Sequence, residues 1–249
     1  MKAFLMLFVA VFSLAFLVGC DKQMMDGNSI ADPAIESGSR AFPGPAGDVL
    51  ETQGVRYRVT IENITPATAP GASQPLSPPV LATHLPRFHV FRVGRLASDE
   101  LRQIAEDAVD GPLVSKLEND GRVLDVQKGG GVILPGQSMT VEITAAPGFH
   151  RLSLVSMLVN TNDAFAALDA IRLPIFGEKI LYARAYDAGT EANTELKDHI
   201  PGPCCGSPHV RVPTTEPVRM HEGITGRGDL DPQIYDWDGP VAKITIERM

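Results

Sequence analysis

The sequence is short of what several common protein classes require. Three Cys in 249 residues cannot build a disulfide-stapled secreted scaffold. Aromatic residues make up 6%, with a single Trp. Charged residues reach only 21%, for a net charge of −8, which suits neither a disordered acidic tail nor a coiled coil. The sign argues against nucleic acid as a main partner, because phosphate binding needs a basic face. No Gly-x-Ser-x-Gly elbow, phosphate loop, dinucleotide fingerprint or internal repeat occurs along the chain, so the common signatures of those enzymes are missing. What is plentiful is turn chemistry. The 23 Gly and 20 Pro point to a loop-rich fold rather than a helical bundle, and the length is enough for one large domain or two small ones.

The chain opens with Lys2 and an apolar run from Ala3 to Val18 broken only by Ser13. Sixteen residues fall short of the ~20 that a spanning helix needs, and the basic start reads as a secretory signal. The run ends Leu17-Val18-Gly19-Cys20, which resembles the bacterial lipobox. That resemblance implies cleavage before Cys20, lipid on its thiol, and a protein held at the cell envelope, facing the periplasm or exterior. Two or three acyl chains anchor stably where one holds only marginally. Asp21, directly after the Cys, resembles an inner-membrane retention signal. Residues 1–19 are thus read as a lipoprotein signal peptide. Residues 20–54 mix Gly27, Gly38, Gly44 and Gly47 with Pro33, Pro43 and Pro45 and read as a lipid-anchored flexible tether.

From Val55 the pattern changes. Val55-Arg56-Tyr57-Arg58-Val59-Thr60-Ile61 alternates apolar and polar, as a half-buried strand does. Pro66 to Pro79 carries five prolines and reads as a loop, and Phe88 to Val93 as a strand. Ser98 is placed to cap a helix with Leu101, Ile104, Ala105 and Val109 on one face, stopped by Gly111-Pro112 with a short turn to follow over 113–117. Met139 to Ala145, Leu152 to Val159, Lys179 to Ala185 and Val241 to Glu247 add short strands between Gly/Pro turns. The fold class expected is all-β, an antiparallel β-sandwich with one or two short helices.

The second half holds separated motifs in order. Phe149-His150-Arg151-Leu152-Ser153-Leu154-Val155-Ser156-Met157 runs into Asn160-Thr161-Asn162-Asp163-Ala164-Phe165. There follow Ala185-Tyr186-Asp187-Ala188-Gly189-Thr190-Glu191, Tyr235-Asp236-Trp237 and Val241-Ala242-Lys243-Ile244-Thr245-Ile246-Glu247-Arg248. Together they resemble the spondin domain, over most of residues 55–249. The resemblance implies a C2-like sandwich with a Ca²⁺ site in loops at one end, and it places the carboxylates on Asp163, Asp187 and Glu191. The family pattern has Asp more often than Glu at the last of these. Ca²⁺ takes ~6–8 oxygens, and acids in glycine-permitted turns supply them; Gly189 between Asp187 and Glu191 lets the backbone bend. Taken without the resemblance, the same residues read as a turn cap and solvated loop acids.

Other constellations stay open. Cys204 and Cys205 are adjacent, with Cα atoms ~3.8 Å apart across a trans peptide, below the usual ~4.4–6.8 Å of a disulfide. They read as a strained vicinal disulfide, as inert or partner-linked thiols, or as soft-metal ligands with His209 and His221. Asp229, Asp231, Asp236 and Asp238 crowd together without the spacing of a calcium-binding EF-hand and read as turn residues. Arg227-Gly228-Asp229 is short enough to arise by chance, and the sequon Asn63-Ile64-Thr65 has no glycosylating enzyme to read it in this context. His221-Glu222 lacks the second His of a zinc-protease helix. The function expected is a lipid-anchored, calcium-binding adhesion or binding module with an unknown protein or glycan ligand, not an enzyme. The rivals are an envelope metal-handling protein using Cys204, Cys205, His209 and His221, and a metal-dependent hydrolase.

Overall fold

A computed structural model of the chain describes residues 54–67, 73–206 and 210–249. The leader, Cys20, the tether through residue 53, and His209 lie outside the described residues. In chain order the strands are β1 (Val55–Asn63), β2 (Val80–His84), β3 (Val123–Lys128), β4 (Ser138–Ala145), β5 (Arg151–Met157), β6 (Ala164–Arg172), β7 (Glu178–Asp187), β8 (Arg219–Met220) and β9 (Ala242–Arg248). Three short helices join them: α1 (Asp99–Asp107), α2 (Gly111–Glu118) and α3 (Pro232–Tyr235).

Alternation dictates the first sheet. Tyr57, Val59 and Ile61 of β1 point inward, as do Val141, Ile143 and Ala145 of β4 and Ala242, Ile244 and Ile246 of β9. β1 lies between β4 (Val55↔Ala145 to Glu62↔Ser138) and β9 (Tyr57↔Arg248 to Asn63↔Ala242), antiparallel to both. The second sheet runs β3-β2-β5-β6-β7, with β8 beside the end of β7. β7 serves both sheets: its first half pairs with β9 and its last residues with β6. The result is an all-β antiparallel sandwich, nearly closed on itself.

The second sheet is covered on both faces. One face joins Leu81, Leu152 and Leu154 to the core between the sheets. The other packs Val80, Ala82, Val155, Phe165 and Ala167 beneath Leu101 and Ile104 of α1 and Leu113 and Leu117 of α2. Strands buried on both faces read as continuous apolar runs, without alternation. That is why β2 and β6 show no strand signature of their own.

Several local expectations change. Phe88 to Val93 is not a strand; it is an irregular segment held by side-chain bonds described below. Ser98 does cap α1, its Oγ accepting the Leu101 N–H at 3.4 Å. Helix α1 ends at Asp107, with Ala108 left-handed, so Val109 falls beyond it and is exposed. Gly111-Pro112 starts α2, because Pro is tolerated in a helix's first turn. Asn63 is fully buried, and its Nδ2 donates to the carbonyls of Gln74 and Ile133 at 2.8 Å. The sequon is therefore a structural knot, closed to any glycan.

Candidate metal centre

Two loops meet at the end of the second sheet where β6 begins and β7 finishes. The first, after β5, is fixed from within. Thr161 Oγ1 donates to Leu158 O at 2.7 Å and accepts from Ala164 N at 3.1 Å. Asn160, fully buried, donates its backbone N–H to Gln74 Oε1 at 3.1 Å and its Nδ2 to Ser73 O at 2.7 Å, and its Oδ1 accepts the Cys204 N–H. This loop delivers Asp163 immediately before β6, and Ala164 pairs with Asp187 at the end of β7.

Asp163 then clamps the second loop. Its Oδ2 accepts the Thr190 N–H at 2.8 Å, the Glu191 N–H at 3.0 Å and the Thr190 hydroxyl at 3.2 Å. Asp187 Oδ1 accepts the Gly189 N–H at 2.6 Å. Gly189 has φ +72, and a Cβ there would stand 2.2 Å from the Glu216 carbonyl oxygen. Only glycine permits both the left-handed backbone and that approach. The bend between Asp187 and Glu191 expected from sequence is therefore built on a position no other residue fits.

The three acids are buried: Asp163 and Asp187 at 0% exposure, Glu191 at 3%. Each is held differently. Asp187 Oδ2 receives Arg219 Nη2 at 2.8 Å and Asn193 Nδ2 at 2.7 Å. Glu191 Oε1 receives Arg211 Nη1 at 2.8 Å, and the same guanidinium also reaches Asp107. Glu191 thus faces a cavity of about 490 Å³ that Arg102, Glu106, Asp107 and Arg211 also line. Burial, and then the neighbouring Asp187 charge, pushes the Asp163 carboxyl up to about 6. Burial pushes Glu191 up to about 7, opposed by Arg211 and reinforced by Glu106 and Asp163.

Two oxygens in this neighbourhood, Glu191 Oε2 and Asn193 Oδ1, are buried with no hydrogen-bond partner. A buried acceptor left unpaired costs ~1–3 kcal/mol, and such atoms are exceptions that call for an explanation. An oxygen-only set of carboxylates plus an amide carbonyl is the chemistry a hard cation takes. The residues present fit calcium in kind. Among the described residues, however, no three His, Cys, Asp or Glu side chains stand grouped as if already ligating one ion. Arg219 and Arg211 occupy the positions a cation's charge would take. Asn193 is the site residue that sequence reading missed; it lies two residues past Glu191 in the loop anchored by the Asp163 clamp.

The other candidates are accounted for locally. Cys204 and Cys205 are bonded to each other in the turn Pro203–Cys205, which packs on the core beside Asn160. Their sulfurs are thus committed. His221 Nδ1 accepts the Gly223 N–H at 3.0 Å and its ring lies against Trp237. Asp231 caps α3, Asp236 Oδ1 accepts the Ile224 N–H, and Asp229 Oδ2 accepts the Lys197 N–H, so these acids serve turns. In the Arg227-Gly228-Asp229 loop the N–H groups of Thr225, Gly226 and Arg227 converge on the Glu195 carboxylate. Gly228 abuts the backbone of Glu195, and the Arg227 guanidinium binds Glu222 at 2.5 Å.

A polar group unseen in sequence lies elsewhere. Asp169 Oδ1 accepts from Ser153 Oγ at 3.0 Å and Val90 N at 2.9 Å, and Oδ2 lies 2.5 Å from His89 Nδ1. Ser153 also meets His84 Nε2 at 2.8 Å. In a nucleophilic triad the imidazole stands between hydroxyl and carboxylate, with the hydroxyl open to substrate. Here the carboxylate separates Ser153 from His89, and Ser153 is 1% exposed, so the group fixes the 88–93 segment instead.

Residues 59–200 match the family model described as Spondin_N. No curated protein matches the chain.

Proposed function

Since the chain belongs to the spondin N-terminal domain family, we propose that it is a calcium-stabilised binding module, carried at a bacterial cell envelope by lipid on Cys20. The observation that carries the calcium reading is the pair of unpaired buried oxygens, Glu191 Oε2 and Asn193 Oδ1, in the loops that hold Asp163 and Asp187. A cation there would be held by Asp163, Asp187, Glu191 and Asn193. It would supply positive charge to carboxylates that burial and mutual repulsion otherwise disfavour. Asp163 ties the two loops together, Gly189 bends the second, Thr190 and Thr161 fix their backbones, and Arg219 must give up Asp187 Oδ2 for a ligand to reach it. Arg219 is 45% exposed at its side chain, so solvent can receive it. The module would bind rather than catalyse, its ligand a protein or glycan outside the membrane surface.

Binding to the folded state alone stabilises by ~2.7 kcal/mol when free ligand is a hundredfold above its dissociation constant. Chelation should therefore lower the melting temperature and calcium should restore it better than magnesium, which demands a tighter octahedron. Asp187→Ala should abolish the response. A melting curve indifferent to chelator and calcium would sink the calcium site. Failure of the wild-type chain to take up a fatty-acid label in a bacterial host, or loss of no label in Cys20→Ala, would sink the anchor.

A further inference from the structure

The strands that share β7 between two sheets have to separate. β6 and β7 pair from Ala164↔Asp187 only as far as Ala167↔Arg184. Beyond that point β7 runs with β9, from Ala183↔Ala242 to Glu178↔Glu247, while β6 stays with β5 through Arg172. The parting opens a cleft of about 730 Å³, with Ala167 and Leu168 lining it together with Tyr182, Arg184 and Tyr186 of β7. Residues two apart share a strand face, so these three side chains stand in a row of ring, guanidinium, ring. The 89–93 segment forms the opposite rim and contributes Arg92. A second cavity of about 280 Å³ shares His89, Phe91 and Arg92 with the first and adds Arg87, Arg95 and Arg122.

The rim is fixed in place. Asp169 binds both His89 Nδ1 and the Val90 N–H, so its carboxylate is spent on shape. Arg122 is paired with Asp120. Among the described residues Arg87, Arg92, Arg95 and Arg184 make no ion pair. Four uncompensated guanidinium groups collected along two joined cavities are unexpected in a chain of net charge −8, and such a focus attracts anions.

We infer that this cleft binds an acidic oligosaccharide, taking uronate carboxylates on Arg92 and Arg184 and sugar-ring faces against Tyr182. The guanidinium fork matches a carboxylate in two parallel hydrogen bonds. Tyr offers an apolar body with a polar tip, suited to a ring that carries C–H groups on its face and hydroxyls on its edge. A uronate presents both features on one ring. A nucleic-acid strand would instead require a continuous basic track against a dense line of phosphates, which a chain of net charge −8 disfavours. The inference rests on the reading of the chain as a binding module but uses none of the calcium loops, so the two fail separately.

The test is calorimetric titration of the full-length protein with a defined oligogalacturonate, repeated in chelator. Saturable binding that weakens as salt rises is expected, and it should persist in chelator. Arg184→Gln and Arg92→Gln, both at exposed positions, should each weaken it at least tenfold without moving the melting temperature. Arg56→Gln on β1, which does not line the cleft, should leave it unchanged. Absence of saturable binding, equal binding of a neutral glucan of the same length, tighter binding of a single-stranded oligonucleotide, or wild-type affinity in both cleft variants would each overturn the assignment. Loss of binding only in chelator would overturn its independence from the calcium site.

Discussion

Replacing Glu191 by Gln should stabilise the calcium-free domain at neutral pH, although the side chain pairs with Arg211 at 2.8 Å. Burial outweighs that pair and lifts the folded-state carboxyl from 4.5 to about 7. A carboxyl raised in this way favours folding while it is neutral. Its contribution is full below about pH 4.5 and is lost as pH climbs through about 7. At 1.36 kcal/mol per pH unit the ionised form costs roughly 3 kcal/mol at pH 7.5. For a domain of this size that is roughly 6–12 °C in melting temperature. Asp163 acts in the same direction between its ordinary 3.8 and about 6. His84 and His221, lowered by burial, act the opposite way, since they lose stability as pH falls below their ordinary range. The wild-type pH profile therefore sums opposed contributions, and the difference between wild type and Glu191→Gln isolates one of them. Urea unfolding in chelator at pH 4.5 and pH 7.5 is the assay. Equal stability at pH 4.5 and a more stable variant at pH 7.5 are expected. A variant equal to or weaker than wild type at pH 7.5 would refute the reasoning.

Two further outcomes follow from the loops. Gly189→Ala should destabilise by a few kcal/mol in thermal melts, because a Cβ meets the Glu216 carbonyl oxygen at 2.2 Å and φ is +72; a melting temperature within a degree of wild type would contradict that geometry. The Cys204→Ser/Cys205→Ser double variant should stay folded with a melting temperature lowered only modestly and calcium content unchanged, since a bridge between neighbours closes almost no loop in the unfolded chain; loss of bound zinc or copper would favour a metal-handling role.

Legibility in the sequence followed burial. β1, β4 and β9 each show one face to the core, so their alternation announces them. β2 is buried at all five positions, and β6 at its first five, because the helices cover the face that would otherwise be polar. Their residues carry no period to read. The reverse error came at Phe88 to Val93, whose apolar–polar mixture looks like a strand but serves a rim pinned by Asp169, a residue eighty positions away. The separated motifs single out Asp163, Asp187 and Glu191 as candidates, but the burial of all three is not visible in their local sequence. Asn193 and Arg219 escaped notice because their importance lies in contacts to Asp187 across a loop and a strand pair. The arginine cleft escaped for the same reason, since Arg92 and Arg184 meet only through the parting of β6 and β7.

The most direct measurement is calorimetric titration of the metal-free protein with calcium at pH 5.0 and pH 7.5. One ion per chain is expected, bound more tightly at pH 7.5, because at pH 5.0 protons hold Asp163 and Glu191, whose carboxyls lie at about 6 and about 7. Asp187→Ala should remove the heat of binding. No calcium binding at pH 7.5, or binding that survives Asp187→Ala intact, would contradict a cation held between these two loops.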